Sequence, residues 1–252
     1  MAVYYLNQQS AFPDPTTAGP EGLLALGGDL SCERLLQAYS AGIFPWFNEG
    51  EPPLWWCPDP RCVLFPEELK ISRSLNKILR SGRFQITTDR AFAQVIENCA
   101  ATRRDEGGTW ITDEMRRAYI RLHEQGYAHS VEAWLGADLV GGLYGVCLGS
   151  CFFGESMFFR VPNASKVAFA TLVRRLAEAN FLLLDCQLPS SYLAAFGARL
   201  VSRSSFLEQL VAAGVRPGSP MSGNLPEIPA NASNAGTAEV PPLRERFLGD
   251  RN

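Results

Sequence analysis

Between residues 127 and 187 the hydrophobic rhythm of the chain changes twice. Tyr127–Trp134, Leu139–Cys147 and Cys151–Ser156 are apolar runs separated by Leu135-Gly136-Ala137-Asp138 and by Gly149-Ser150. Short runs bounded by turn residues predict three strands in a meander. A helical period follows from about 164 to 179, with Asn163 placed as its cap, and Leu182–Cys186 is again an apolar strand. Within Cys151–Gln187 two acids interrupt the apolar runs, Glu155 in the first and Asp185 in the second. Burying a carboxylate is costly unless it is partnered or used. Two such acids joined by one helix predict a pocket where two neighbouring strand ends meet.

The same rhythm reads the rest of the chain. Ser31 caps a helix over Cys32–Ser40 with Leu35, Leu36 and Tyr39 on one face. Ser72 caps Arg73–Ser81, whose apolar face is Leu75, Ile78 and Leu79. Phe84–Thr87 reads as a strand, Asp89 as the cap of a helix over 90–100, and 101–109 as a loop carrying Gly107-Gly108. Thr112 caps another helix, with Asp113 and Glu114 in its first turn suiting the dipole and Met115, Ala118, Tyr119 and Leu122 facing inward. A short helix near 191–196 stops at Gly197, and Ser204 opens a last helix that ends at Gly214. Residues 1–66 are rich in Pro and Gly, and from Val215 the periodicity collapses. The expected organisation is a small N-terminal domain (1–62), a catalytic domain (63–214) and a disordered tail (215–252).

Prolines dominate the aromatic segments GIFPWF (42–47) and PPLWWCPDPR (52–61). Their fixed backbone holds Trp46, Trp55 and Trp56 in place, either as a small aromatic core or as a rigid wall facing a ligand.

With 252 residues, 46% of them hydrophobic, the chain can bury a substantial core. Its net charge of −3 carries no global basic signal for nucleic acid. A local one exists: from Arg61 to Arg90 there are seven basic residues against three acids. Arg73, Lys77 and Arg80 share one helical face and Arg83 extends it, as a solvated surface or a phosphate-binding patch. The seven cysteines form no CxxC pair, so reduced, buried thiols are expected rather than a metal site. The N-terminus lacks the pattern of a signal peptide, and no apolar run reaches the ~18 residues of a membrane span. A cytoplasmic protein is expected.

A meander, a helix, then a strand and a helix is the order of acetyltransferase-like (GNAT) folds. The expected class is therefore α+β, with a GNAT-like C-terminal domain around a mixed, largely antiparallel sheet. Such enzymes cradle a pyrophosphate on a glycine-rich loop before the central helix. Here that loop is Arg160-Val161-Pro162-Asn163-Ala164-Ser165, with no glycine, which argues for an acyl donor other than coenzyme A.

The chain resembles the bacterial leucyl/phenylalanyl-tRNA–protein transferases. The matching stretches include GLLALGGDL (22–30), GIFPWF (42–47), LWWCPDPR (54–61), ISRSL (71–75), TWIT (109–112), GYAHSVE (126–132), LVGGLYGV (139–146), FFGESMF (152–158), NASK (163–166) and DCQ (185–187). The resemblance implies transfer of Leu or Phe, with Met a further donor, from aminoacyl-tRNA to a protein beginning with Lys or Arg. The product would be marked for degradation through the N-degron pathway. No cofactor and no metal is implied, because the ester donor is already activated, and a monomer suffices.

The same resemblance implies roles. Gln187 would accept a hydrogen bond from the attacking amine, Asp185 would polarise or orient it, and Glu155 would hold the aminoacyl end. Leu143, Met157, Phe169, Leu172 and Leu184 would line the aminoacyl pocket. Trp46 and Trp110 would hold the terminal adenosine, and Arg73, Lys77, Arg80 and Arg83 would meet tRNA phosphates. Tyr192 stands near a position where the family commonly has His, and Phe159 replaces a small polar residue. Two other readings stand beside this one, a coenzyme A acyltransferase of the same fold and a non-catalytic RNA-binding module. The missing glycine loop opposes the first, and the joint presence of Glu155, Asp185 and Gln187 opposes the second.

Overall fold

The computed structural model describes residues 3–105, 109–218 and 224–226. Its strands form two mixed sheets. The smaller holds β1 (Tyr4–Leu6), β2 (Leu23–Gly27), β3 (Phe44–Pro45) and β4 (Leu54–Trp56) in the order β1-β2-β4-β3. The larger holds β5 (Arg61–Leu64), β6 (Gln85–Thr88), β7 (Ala128–Leu135), β8 (Asp138–Leu148), β9 (Cys151–Phe159), β10 (Leu183–Gln187) and β11 (Arg199–Val201), in the order β11-β5-β10-β9-β8-β7-β6. The helices are α1 (Cys32–Ser40), α2 (Arg73–Arg80), α3 (Phe92–Asp105), α4 (Asp113–Glu124), α5 (Ala164–Glu178), α6 (Ser191–Ala195) and α7 (Arg203–Ala212).

Within the larger sheet every pairing is antiparallel except β9 with β10, which α5 joins as a crossover. Both faces of this sheet are covered. Val131, Leu143, Cys147 and Phe152 pack with residues of α2 and α5 on one face. Tyr144, Val146, Phe153 and Phe158 pack with α1, α3, α4 and the smaller sheet on the other. Strand alternation separates the two sets, with a bulge in β9 between Gly154 and Ser156 reversing its phase, so that Phe153 and Phe158 share a face. Gly145 is required by a close approach, since a Cβ there would lie 2.2 Å from the Phe153 carbonyl oxygen.

The helix caps follow the chemistry of the sequence. Ser31, Ser72 and Thr112 each accept a hydrogen bond from the backbone N–H three residues on. Two other expected caps do not form. Asn163 has φ of 72° and makes no side-chain cap bond, so it turns the chain into α5 by its backbone. Asp89 has φ of 56°, and its carboxylate bonds the Ser130 N–H and the His129 ring instead. The carboxylate that meets the start of α3 belongs to buried Glu132, which accepts from the Ala91 N–H. The last helix starts one residue earlier than expected, capped by Ser202.

Residues 101–105 continue α3 rather than forming a loop, while Gly107 and Gly108 lie outside the described residues. The proline-rich N-terminal stretch, read as lacking long periodic segments, supplies the whole smaller sheet and also β5. Arg61 and Cys62 share that strand with Val63 and Leu64, so the larger sheet begins just before residue 63. Of the stretch read as a tail, Val215 and Leu225 are buried in the core, and 219–223 and 227–252 lie outside the described residues. Cys57, Cys62, Cys147 and Cys151 are buried thiols. Among the described residues no helix is long and apolar enough to cross a membrane, and no cluster of His, Cys, Asp and Glu is suited to a metal ion.

Candidate active site

The parallel pairing of β9 with β10 stops at Asp185 opposite Phe153. Beyond it β9 runs on to Phe159, while a bulge between Asp185 and Gln187 turns β10 away. Gln187 sits in the left-handed region at φ of 60°. The divergence of the two strands opens a cavity of about 530 Å³.

Nine of the residues expected at the site line this one cavity: Glu155, Gln187, Leu143, Met157, Phe169, Leu172, Leu184, Trp46 and Trp110. β8, β9, β10 and α5 supply the apolar wall, so α5 is a wall of the pocket as well as a crossover. Trp46 is 41% exposed and packs against Trp56 at 5.7 Å between ring centres, while Trp55 is wholly buried and donates to the Gly27 carbonyl. The aromatic segment is therefore core at Trp55 and cavity wall at Trp46. Exposed Phe159 and half-buried Tyr192 line the cavity too.

Glu155 is the polar centre of the cavity. Its carboxyl accepts from Tyr39 Oη at 2.7 Å, from Tyr119 Oη at 2.9 Å and from Gln187 Nε2 at 2.8 Å. The two phenols also bond each other. Burial pushes the Glu155 carboxyl up to about 7, against the pull of the Tyr39, Tyr119 and Gln187 hydrogen bonds. Burial likewise holds both phenols well above the usual range. With Nε2 committed to Glu155, the Gln187 amide oxygen is the atom left to accept from a ligand.

Asp185 stands behind the cavity rather than in it. It is fully buried, and Arg61 grips it with Nε on Oδ1 at 2.9 Å and Nη2 on Oδ2 at 2.6 Å. The guanidinium itself lies between the rings of Phe44 and Phe206, 4.7 and 4.5 Å from their centres. Oδ1 also accepts the backbone N–H of Gln187 at 2.9 Å. Asp185 thus ties Arg61 to the Gln187 backbone.

Arg73, Lys77, Arg80 and Arg83 are exposed and do not line the cavity. Their helix α2 packs on α5.

Three residues of the site escape sequence reasoning. Tyr39 and Tyr119 sit on helix faces that read as ordinary core, and Arg61 reads as one member of a surface basic run. The available signal is that a buried tyrosine needs a partner for its hydroxyl.

Two family models match most of the chain. The leucyl/phenylalanyl-tRNA protein transferase model matches residues 63–211, and the model of that family's N-terminal domain matches 28–59. The chain belongs to the leucyl/phenylalanyl-tRNA–protein transferase family. A relative from Nitrosospira multiformis bearing that name is 59% identical over 208 residues, covering 82% of this chain and 90% of the relative. One from Syntrophotalea carbinolica, with the same name, is 58% identical over 228 residues, covering 90% of this chain and 99% of its own. In this family member Trp46 falls within the N-terminal match, and the other cavity residues named above fall within 63–211.

Proposed function

We propose that the protein transfers Leu or Phe, and also Met, from aminoacyl-tRNA to the N-terminal Lys or Arg of an acceptor protein. The observation that carries this reading is the cavity itself, a largely apolar pocket with Glu155 and Gln187 among its polar groups, in a chain of this family.

The acceptor amine attacks the ester carbonyl of the aminoacyl group. The new N–C bond forms as the bond from the carbonyl carbon to the ribose oxygen breaks, and the proton lost by the amine balances the one gained by that oxygen. The ester is already activated, so the protein contributes placement. Gln187 accepts a hydrogen bond from the amine through its amide oxygen and is held by Glu155 and by the backbone contact to Asp185. Asp185 is a positioning residue fixed by Arg61. Leu143, Met157, Phe169, Leu172 and Leu184 receive the amino-acid side chain, with the flexible Met157 adapting to either shape. Trp46 and Trp110 stack on the terminal adenosine, and the basic face of α2 meets tRNA phosphates without reading sequence.

The topology supports a GNAT-like C-terminal domain, in which a meander is followed by a helical crossover to a parallel strand that splays away. The reading also makes the protein a cytoplasmic monomer that feeds the N-degron pathway. Its test is labelled Leu-tRNA or Phe-tRNA with a protein beginning with Arg or Lys. Label in the acceptor supports the proposal, and no transfer in purified components contradicts it.

A further inference from the structure

We propose that Tyr39 and Tyr119 close a ring of hydrogen bonds on Glu155 that holds it as a neutral carboxylic acid. The ring has three oxygen–oxygen contacts: Tyr39 to Glu155 Oε1, Tyr119 to Glu155 Oε2, and Tyr39 to Tyr119. Each contact needs a proton between its oxygens, and each phenol carries one. With Glu155 ionised, two protons serve three contacts, and one pair of lone pairs is forced together in a buried site. With Glu155 protonated, three protons serve three contacts and every bond is made. Gln187 Nε2 adds a donor to Oε1 but supplies nothing to the contact between the phenols.

The surroundings favour the same state. Around the ring stand Tyr39 from α1, Tyr119 from α4, Tyr144 from β8 against the Tyr119 ring, and Asp185 from β10, paired with Arg61 from β5. The only cation in this set is already committed to Asp185, whose own charge disfavours a second anion nearby. Burial acts in the same direction.

This inference deepens the proposed function and rests on it for the meaning of the site. Glu155 is the only acid among the described residues that line the cavity. A neutral Glu155 therefore presents a substrate with a hydrogen-bonding group and not an anion. Tyr39 and Tyr119 are positioning residues, acting through Glu155 and Gln187.

The test is the infrared difference spectrum of the full chain against Glu155→Gln at pH 6, where an ordinary glutamate, with a pKa of about 4.3, is ionised. A carboxylic-acid carbonyl band present in the wild type and lost in the variant is the expected result. A difference made of carboxylate bands alone overturns the proposal. Tyr39→Phe and Tyr119→Phe each remove the contact between the phenols that an ionised Glu155 leaves without a proton, so ionisation should become easier and the midpoint of the band should fall by about half a pH unit or more. Unmoved or raised midpoints in both folded variants overturn the role of the tyrosines. If neither variant folds, the wild-type spectrum decides alone. The spectrum uses no tRNA, so an absent band leaves the transferase reading standing, and failed transfer with the band present contradicts that reading only.

Discussion

Arg61 and Asp185 face each other across β5 and β10 with both side chains fully buried and two hydrogen bonds between them. Removing one partner leaves the other as a lone buried charge. Asp185→Ala and Arg61→Met are each expected to cost about 3–5 kcal/mol of stability. The double variant should lose less than the sum. Urea denaturation checks this, and single variants that lose under about 1 kcal/mol would contradict the buried pair.

Because Asp185 also fixes the Gln187 backbone, its loss should reach the chemistry. Asp185→Asn should lower the rate of transfer much more than the affinity for tRNA. Equal losses of both would make Asp185 a general stabiliser with no particular tie to Gln187.

Glu155 makes stability depend on pH. Its carboxyl is raised from 4.5 to about 7 by burial, so the folded state holds a proton that the unfolded chain releases first. The resulting stability is full below about 4.5 and is lost as pH rises through about 7. Glu155→Gln lacks this loss. Between pH 5 and 8 the variant should gain on the wild type by about 3 kcal/mol in denaturant titrations, since a tenfold change in acidity corresponds to ~1.4 kcal/mol. A difference independent of pH would contradict it.

Half-exposed Trp46 at the cavity supports stacking on a nucleobase. Trp46→Ala should weaken aminoacyl-tRNA binding by about 1–3 kcal/mol, read as a raised KM at unchanged kcat. A fall in kcat at constant KM would place this ring in another role.

The exposed face of α2 should act through charge alone. Arg73→Glu with Arg80→Glu should weaken binding of any tRNA and lower the slope of log K against log salt by about 2. Unchanged binding would put the tRNA on a different face.

These residues also mark how far the sequence is legible. α1, α2 and α4 are readable because Ser31, Ser72 and Thr112 combine a cap with a helical apolar period. The pocket lining follows from the family stretches, and the pocket's location from two acids set in apolar strands. Asp89 and Asn163 mislead because a residue type suited to capping is equally suited to a left-handed turn. β5 escapes because prolines precede it and its four residues are buried on both faces, leaving no alternation to read. Arg61 in that strand then resembles a surface charge, although its partner lies 124 residues away. Tyr39 and Tyr119 look like core because their rings are core, and only the distant Glu155 explains their hydroxyls.

On this mechanism the cavity joins an aminoacyl group to an N-terminal amine. The most direct measurement is transfer of labelled Leu from Leu-tRNA by the purified chain to one acceptor peptide made in four forms, beginning with Arg, Lys, Ala or N-acetylated Arg. Labelled product is expected with Arg and Lys, none with the acetylated form, and at least a tenfold-lower yield with Gln187→Ala, about 1.4 kcal/mol of lost stabilisation. Labelling of the acetylated peptide, or none with Arg and Lys, would contradict it.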